Sequence, residues 1–579
     1  MLDYLDLAAR IVDEAAANWF LPEGTYCDPY EAGDRWAGGC TARFVCPAAI
    51  LINRRGRADL LPMVAEQMDR LCGLIQAGKG TPGGGLPHGV LDLVSKEIQV
   101  AFRELRSHVD PAQHARWQAS LTDIEPGNVY TGTGKLRGGH RLTNYEIYAS
   151  VGEWLRHCHG QTPDTQWLET MLAASQPLFT GLGMYRDPND PMTYDLSVRQ
   201  NLSELLHYGY NGDHAEIVQG QLARAGLATL QMVSPLGYAP YGGRSNHFVH
   251  NEAMLTYICE FEARRWRPRD PAKAASFRAV ARRALEMVTG FVDLDPPRNL
   301  KSRFPPSTKF GRDTGYGEYG VYSLLAASLL ARTFLVADEA IPVADAWPDG
   351  TGTVLHLDPA FHRLFATVGD TFVQLDTQGQ PGHDATGVGR FHRLGVPAPL
   401  GGSLSIAAQP KYIVGECATD RGVAIGPGWL DASGNWQWLA DCAGRVLEVE
   451  LVHQHISPGM AEWELQHVLA GDTPVTVRQR FRLTPGHLSI EAEIAPAVQE
   501  IAFMVPCLHS DGESEASLVW DQLRATVQFH GACLTARVPA AHAVSVDSHL
   551  RASREAIYRV LEFTVRGAKA VLELSLLPE

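Results

Sequence analysis

The chain has 579 residues, 45% apolar and 20% charged, which excludes a disordered or collagen-like protein. Its 50 Lys and Arg against 65 Asp and Glu give a formal charge of −15, which excludes a generally basic nucleic-acid binder. The 55 Gly and 35 Pro call for many turns and shaped loops, because together they exceed the usual share of about 12%.

The first twenty residues, MLDYLDLAARIVDEAAANWF, carry early acids, no basic n-region and no small-residue cleavage site, so they do not read as a secretory signal. Leu2, Leu5, Ala8, Ile11, Val12, Ala15 and Trp19 recur at helical spacing and predict an amphipathic helix. No apolar run approaches the roughly 18 residues of a membrane span, and no membrane partner is expected. Ten cysteines without zinc or redox spacing read mostly as buried, reduced core residues of a cytoplasmic protein, a periplasmic or secreted protein whose signal has been removed being the alternative.

Up to about residue 335 the pattern is helical, with helices predicted over 59–75, 144–158, 213–232, 251–266, 271–292 and 316–337. Irregular stretches at 78–89, 126–143, 185–194, 234–247 and 293–315 separate them. Most of these carry aromatic and charged residues, so they read as functional loops. Across 341–353 the period falls to two. In 475–483, Val475, Val477, Gln479, Phe481 and Leu483 take one face, while Thr476, Arg478, Arg480 and Arg482 take the other. Segments 445–455 and 487–494 alternate similarly. The expectation is an α+β multidomain chain. A helical domain over 1–340 is followed by an antiparallel β-sandwich over 341–579.

Four clusters could carry chemistry. Residues 237–252, GYAPYGGRSNHFVHNE, deliver Arg244, Asn246, His247, His250, Asn251 and Glu252 ahead of a helix. Residues 312–322, RDTGYGEYGVY, offer Arg312, Asp313, Tyr316, Glu318, Tyr319 and Tyr322. Residues 141–148 offer Asn144 and Tyr145, and 185–195 offer Tyr194 and Asp195. Each sits at a loop-to-helix junction, where backbone N–H groups and the helix dipole favour anions. If the helices form an antiparallel toroid, alternate junctions meet at one end.

Asn, His, Tyr and Arg together suit β-elimination from a uronic acid. An Asn plus His or Arg neutralises the carboxylate and stabilises the enolate-like state. A base removes the C5 proton, and a Tyr protonates the leaving oxygen. Blander readings stand beside this one. Asn144 suits an N-cap, Asp195 suits an i,i+4 pair with Arg199, and one of Tyr316, Tyr319 and Tyr322 suits the core. Residues 132–139, GTGKLRGG, lack the spacing of a phosphate loop. His383 and His392 lie in a Gly-rich stretch with Arg390, able to reach over a cleft or hold a metal. His453 and His455 share a strand face and suit a solvated surface better than a metal.

This plan, with an Asn-His pair and a later Tyr, resembles polysaccharide lyases of the heparinase II/III and alginate lyase type. The resemblance implies an (α/α) toroid followed by an antiparallel β-sandwich. It implies Asn246 and His247 as the carboxylate-neutralising pair, and Tyr316 or Tyr319 as the proton-transfer residue. His383 or His392 would be a histidine from the second domain. Arg244, Asn144, Tyr145, His250, Asn251, Glu252, Arg312, Tyr194 and Asp195 would bind substrate. The metal ligands of some members are not matched, and no cofactor is required, though a structural divalent metal in the β-domain stays open. The expected substrate is an acidic oligo- or polysaccharide, cleaved from chain ends as imported fragments. Homo-oligomerisation is left open. A glycoside hydrolase using paired carboxylates among Glu252, Asp313, Glu318 and Asp195 is the alternative. A non-catalytic glycan binder is a third reading.

Overall fold

The computed structural model describes residues 3–31, 37–86, 91–344, 352–471 and 474–578. Leu2 of the first helix, residues 87–89 of the 78–89 loop, and 345–351 of the stretch where the period changes lie outside the described residues. The chain divides into two compact units that interleave along the sequence. The first comprises residues 1–227, 248–299 and 317–343, and the second comprises 228–247, 300–316 and 344–579.

The helices among the described residues are α1 (Tyr4–Asn18), α2 (Ala37–Arg55), α3 (Leu61–Ala77), α4 (Leu91–Glu104), α5 (Pro111–Thr122), α6 (Pro126–Val129), α7 (Thr131–Arg137), α8 (Asn144–Cys158), α9 (Gln166–Ser175), α10 (Met192–His207), α11 (Ala215–Met232), α12 (Val249–Trp266), α13 (Pro271–Val292) and α14 (Tyr319–Val336). In the first unit α2, α4, α8, α10, α12 and α14 each pack on the next, and α14 returns to α2, closing a ring. Around it α1 packs on α14 and α2, α3 on α2, α9 on α8, and α13 on α12. Position decides the pattern of burial. Outer α1 buries one stripe, Tyr4, Leu5, Leu7, Ala8, Ile11, Val12 and Ala15. Ring helices α4, α10, α12 and α14 have neighbours on both sides and are buried over most of their length.

Two expectations change here. The stretch 126–143 is not wholly irregular, because it folds into α6 and α7. One helix among the described residues, α14, is long and apolar enough to cross a membrane, and it is mostly buried inside the first unit. A ring helix covered on both faces reads like a membrane span in composition.

The ring also holds charge. Lys96 of α4 donates to Asn201 and Gln200 of α10 and pairs with Glu204 at 3.3 Å. Arg332 of α14 pairs with Glu204 and reaches Glu97 at 3.3 Å. All four charged side chains are fully buried. Burial opposes ionisation of Glu204, yet Arg332 and Lys96 outweigh it and pull its carboxyl down to about 2.

The second unit holds the strands: β1 (Thr353–His356), β2 (Arg363–Val368), β3 (Thr371–Asp376), β4 (Gly387–Arg393), β5 (Gly426–Leu430), β6 (Trp436–Trp438), β7 (Val446–Ser457), β8 (Met460–Leu469), β9 (Val475–Thr484), β10 (His487–Ala495), β11 (Glu500–Ser510), β12 (Ser517–Trp520), β13 (Arg524–Phe529), β14 (Ala532–Arg537), β15 (Ala543–Ala552), β16 (Ile557–Arg566) and β17 (Lys569–Pro578). They form three antiparallel sheets: β1-β2-β3-β4, β12-β13-β14-β17-β10-β9-β8-β7, and β15-β16-β11-β5-β6. One apolar core joins residues of all three, among them Leu364, Trp429, Phe481, Phe503 and Leu572. Strand β9 keeps its predicted faces, with Val477, Gln479, Phe481 and Leu483 buried and Arg480 and Arg482 exposed.

Candidate active site

Strands β2 and β3 are buried along their whole length, charged residues included. Those charged and polar side chains grip the loop that precedes α12. Arg363 of β2 pairs with Asp376 of β3 and with Asp384, each at 2.6 Å. Asp384 accepts the Gly243 backbone N–H at 2.8 Å. Gln374 of β3 donates to the Tyr241 carbonyl at 2.6 Å, and the Tyr241 hydroxyl donates to Asp376 at 3.0 Å. Arg390 of β4 donates to the Ala239 carbonyl at 3.0 Å. At Gly242 a side chain would collide with the Arg363 guanidinium, whose Nε would lie 2.5 Å from the added carbon. The run of glycines therefore lets the loop lie flat on the sheet.

This anchoring strains the turn that carries the Asn-His pair. Ser245 and His247, on either side of Asn246, both adopt left-handed backbone angles, φ +61° and +70°. Such angles in non-glycine residues cost on the order of 1–3 kcal/mol each and cluster at functional sites. Asn246 is fully buried. Its Nδ2 donates to the Gly243 carbonyl at 2.8 Å, and its Oδ1 has no hydrogen-bond partner among the described residues. His247 is 1% exposed. Its Nε2–H donates to the Lys301 carbonyl at 2.9 Å, which leaves Nδ1 as an acceptor without a partner among the described residues. Burial first, then Lys301, Arg390 and Arg554, hold this imidazole well below its ordinary pKa. The resting ring is neutral.

The second loop of this unit brings Tyr316. Backbone hydrogen bonds from Gly311 to Ile413, and from Thr314 to Lys411, fix it. Arg554 clamps it with two hydrogen bonds to Asp313 at 2.8 and 2.9 Å and a third to the Gly311 carbonyl at 2.8 Å. The Tyr316 hydroxyl shares a hydrogen bond with Ser245 Oγ at 2.8 Å, one residue from Asn246, and lies within electrostatic reach of Arg554. Half-buried His383 has an Nδ1 without a partner among the described residues. Burial and then Arg554 push that ring down to about 4. Arg244 and Arg312 are half-buried in the same unit.

His392 is placed differently. It is buried at 1%, bonds the Ser234 hydroxyl at 2.8 Å and meets the Tyr238 ring edge-on at 5.2 Å. It supports the loop from beneath. Of the two candidates His383 and His392, His383 is the one with a ring nitrogen lacking a partner among the described residues.

The remaining candidates belong to the helical unit. The Tyr319 hydroxyl donates to the Pro297 carbonyl at 2.7 Å, and its ring packs edge-on against Trp19 and Tyr30. It is a core tyrosine. His250 packs against both Phe248 and Tyr322, at 5.2 and 5.3 Å, in a cluster of three rings. Asn251 donates to Thr193 at 3.2 Å, and Glu252 is fully buried. Asn144 is the first residue of α8 and not its N-cap, since Thr143 and Glu146 form a capping box there. Its backbone N–H donates to Asp187 at 2.9 Å. Tyr145 faces the Lys135 ammonium at 5.2 Å, and Tyr194 is half-buried. Asp195 accepts from the Tyr185 N–H with one oxygen and from Arg199 with the other. Both Asp195 and Asp313 are thus committed to arginines, which suits neither to act as acid or nucleophile in a hydrolase.

Three contributors escaped sequence reasoning. Lys301, Arg554 and Glu555 reach the Asn-His turn from segments remote in sequence. No local pattern flags them, since each sits among polar and charged neighbours in the chain. Glu555 accepts from Tyr238 at 3.0 Å and lies 3.7 Å from His247 Nε2. Among the described residues no group of three or more His, Cys, Asp or Glu side chains is placed to hold a metal. His453 and His455 are exposed on β7.

No family model matches the chain, and no curated protein matches it in sequence. Among solved structures it is similar in fold to heparinase III, 9% identical, with 99% of this chain and 85% of that one covered and a TM-score of 0.54. It is likewise similar to a mutant of heparan sulfate lyase HepC from Pedobacter heparinus, 9% identical, covering 99% and 83% with a TM-score of 0.50. The helical region followed by antiparallel β-sheets is therefore the fold of these polysaccharide lyases.

Proposed function

We propose that the protein is a lyase that cleaves uronic-acid-containing oligosaccharides by β-elimination, acting from chain ends. One observation carries the reading. Asn246 and His247 stand side by side on a strained, buried turn, each with an unsatisfied polar atom, and the Tyr316 hydroxyl is tied to the residue next to them. The similarity in fold to heparinase III supports it.

In this mechanism the uronate carboxylate enters beside Asn246 and His247. The Asn246 amide supplies a neutral hydrogen-bond donor through the second N–H of Nδ2, the first being held by the Gly243 carbonyl. The resting His247 is an acceptor at Nδ1, so it neutralises the carboxylate by taking up a proton there, which the arriving negative charge favours. With the carboxylate charge offset, the C5–H bond weakens. Tyr316, with the Arg554 guanidinium nearby, is the proton-transfer residue. The C5 proton passes to the deprotonated Tyr316 oxygen, the C5–H electrons form the C4–C5 double bond as the C4–O bond breaks, and Tyr316 passes that proton on to the leaving oxygen. Arg244 and Arg312 supply the local positive field that a protein of net charge −15 needs for an acidic substrate.

The test is incubation of the protein with a panel of uronate-containing oligosaccharides. Ultraviolet absorbance from an unsaturated uronate is expected at the cut end, with products released as short units from one terminus. Cleavage without that absorbance would sink the lyase reading, and a ladder of intermediate lengths would replace exo with endo action.

A further inference from the structure

We infer that the Glu555 carboxylate is the counter-charge that lets His247 carry a proton, so that the two form one buried dyad in which Glu555 is a positioning residue. Its consequence for turnover rests on the lyase reading above, whereas the dyad itself rests on geometry.

Glu555 is 3% exposed and lies between β15 and β16. Its Oε1 accepts the Tyr238 hydroxyl at 3.0 Å. Its Oε2 accepts no hydrogen bond among the described residues and stands 3.7 Å from His247 Nε2. That nitrogen already gives its proton to the Lys301 carbonyl, so the carboxylate acts on the ring through charge. The opposite nitrogen, Nδ1, stays free to receive a proton.

Without Glu555 the surroundings would keep His247 uncharged. Burial disfavours the imidazolium, and Lys301, Arg390 and Arg554 are all cationic. Tyr238, whose ring centroid lies 6.2 Å from that of His247, and His392 behind it bring no negative charge. Among the described residues Glu555 is the carboxylate recorded within ion-pair distance of the ring, at 3.7 Å. Burial pushes its own carboxyl up to about 7, against the hydrogen bonds of Ser403 and Tyr238 and the charges of Lys301 and Arg390. Each group is pressed toward neutrality by its burial, and at 3.7 Å a charge on either one opposes that pressure on the other. A proton landing on His247 Nδ1 favours ionised Glu555, and ionised Glu555 favours that proton. The dyad gives the site a charge that appears on demand, when a carboxylate substrate arrives. Tyr238 and the Lys301 carbonyl hold the two members in register.

The experiment uses the full chain labelled with 13C-histidine, the His247 signal being identified by its loss in His247→Gln. The ring is titrated in the wild type, Glu555→Gln and Tyr238→Phe, and the pH profile of kcat is recorded for each. In Glu555→Gln the His247 midpoint is expected to fall by about one pH unit or more. The rate is expected to drop roughly 100-fold, with KM changed much less, and Glu555→Asp should recover part of both. Tyr238→Phe, which spares the charge, should shift the midpoint less and serves if Glu555→Gln does not fold. A His247 titration in the variants that overlays the wild type overturns the dyad, whatever the activity. A shifted titration in a protein that eliminates no uronate leaves the dyad standing and removes the lyase reading instead.

Discussion

The two units of this protein bury charged groups in opposite ways. In the helical ring Glu204 is fully enclosed, yet its carboxyl falls to about 2 because Arg332 and Lys96 lie against it. In the β unit Glu555 is equally enclosed, yet its carboxyl rises to about 7 and the neighbouring His247 is held neutral. Desolvation pushes both carboxyls the same way. What differs is whether a fixed counter-charge outweighs it. The ring has spent its charges on one another, which suits a scaffold. The Asn-His turn holds groups that are near neutral and partly unsatisfied, which suits a site awaiting a charged ligand.

The comparison breaks first, and most visibly, at turnover. Asn246→Ala, His247→Ala and Tyr316→Phe are each expected to lower kcat/KM by on the order of 10²–10⁴-fold while leaving thermal stability close to the wild type. Steady-state kinetics on the best uronate substrate checks this, and a loss below about tenfold for all three would remove the turn from the mechanism. The next largest effect is on stability. Arg332→Leu takes from Glu97 its paired cation and leaves Glu204 with Lys96 alone, and should cost about 3–5 kcal/mol in chemical denaturation. A cost under about 1 kcal/mol would mean the ring charges are not mutually dependent.

The pH dependence sharpens the contrast, since the two carboxyls act with opposite sign. Glu204 titrates below the unfolded value of about 4.3, so its stabilisation is present above that pH and lost as pH falls toward about 2. Glu555 titrates above it, so its contribution is full below about 4.3 and lost as pH rises through about 7. Glu555→Gln should therefore flatten the stability profile between pH 5 and 8, a change on the order of 3 kcal/mol. An unchanged slope in that window would contradict the raised carboxyl. The smallest effect separates the two tyrosines. Tyr319→Phe removes one buried hydrogen bond to the Pro297 carbonyl and should cost about 1 kcal/mol with turnover within about twofold.

Periodicity carried most of the fold. The segments 144–158 and 271–292 coincide with α8 and α13, and 475–483 lies within β9, because each element's burial follows its own repeat. It failed where context overrides local signal. Stretch 126–143 looked irregular for its Gly, Pro and Thr, yet it folds into two short helices. Tyr316 and Tyr319 were equivalent in sequence and parted in structure, one tied to Ser245 and the other sealed against Trp19.

By itself the sequence determined the helical and β regions and the loop that bears Asn246 and His247. Those follow from local pattern and from Gly-rich backbone freedom. Only the tertiary structure decided that the loop belongs with the β strands, and that Lys301, Arg554 and Glu555 converge on it. A pKa is set by burial and by charges a few ångströms away, and neither can be read from neighbours in the chain.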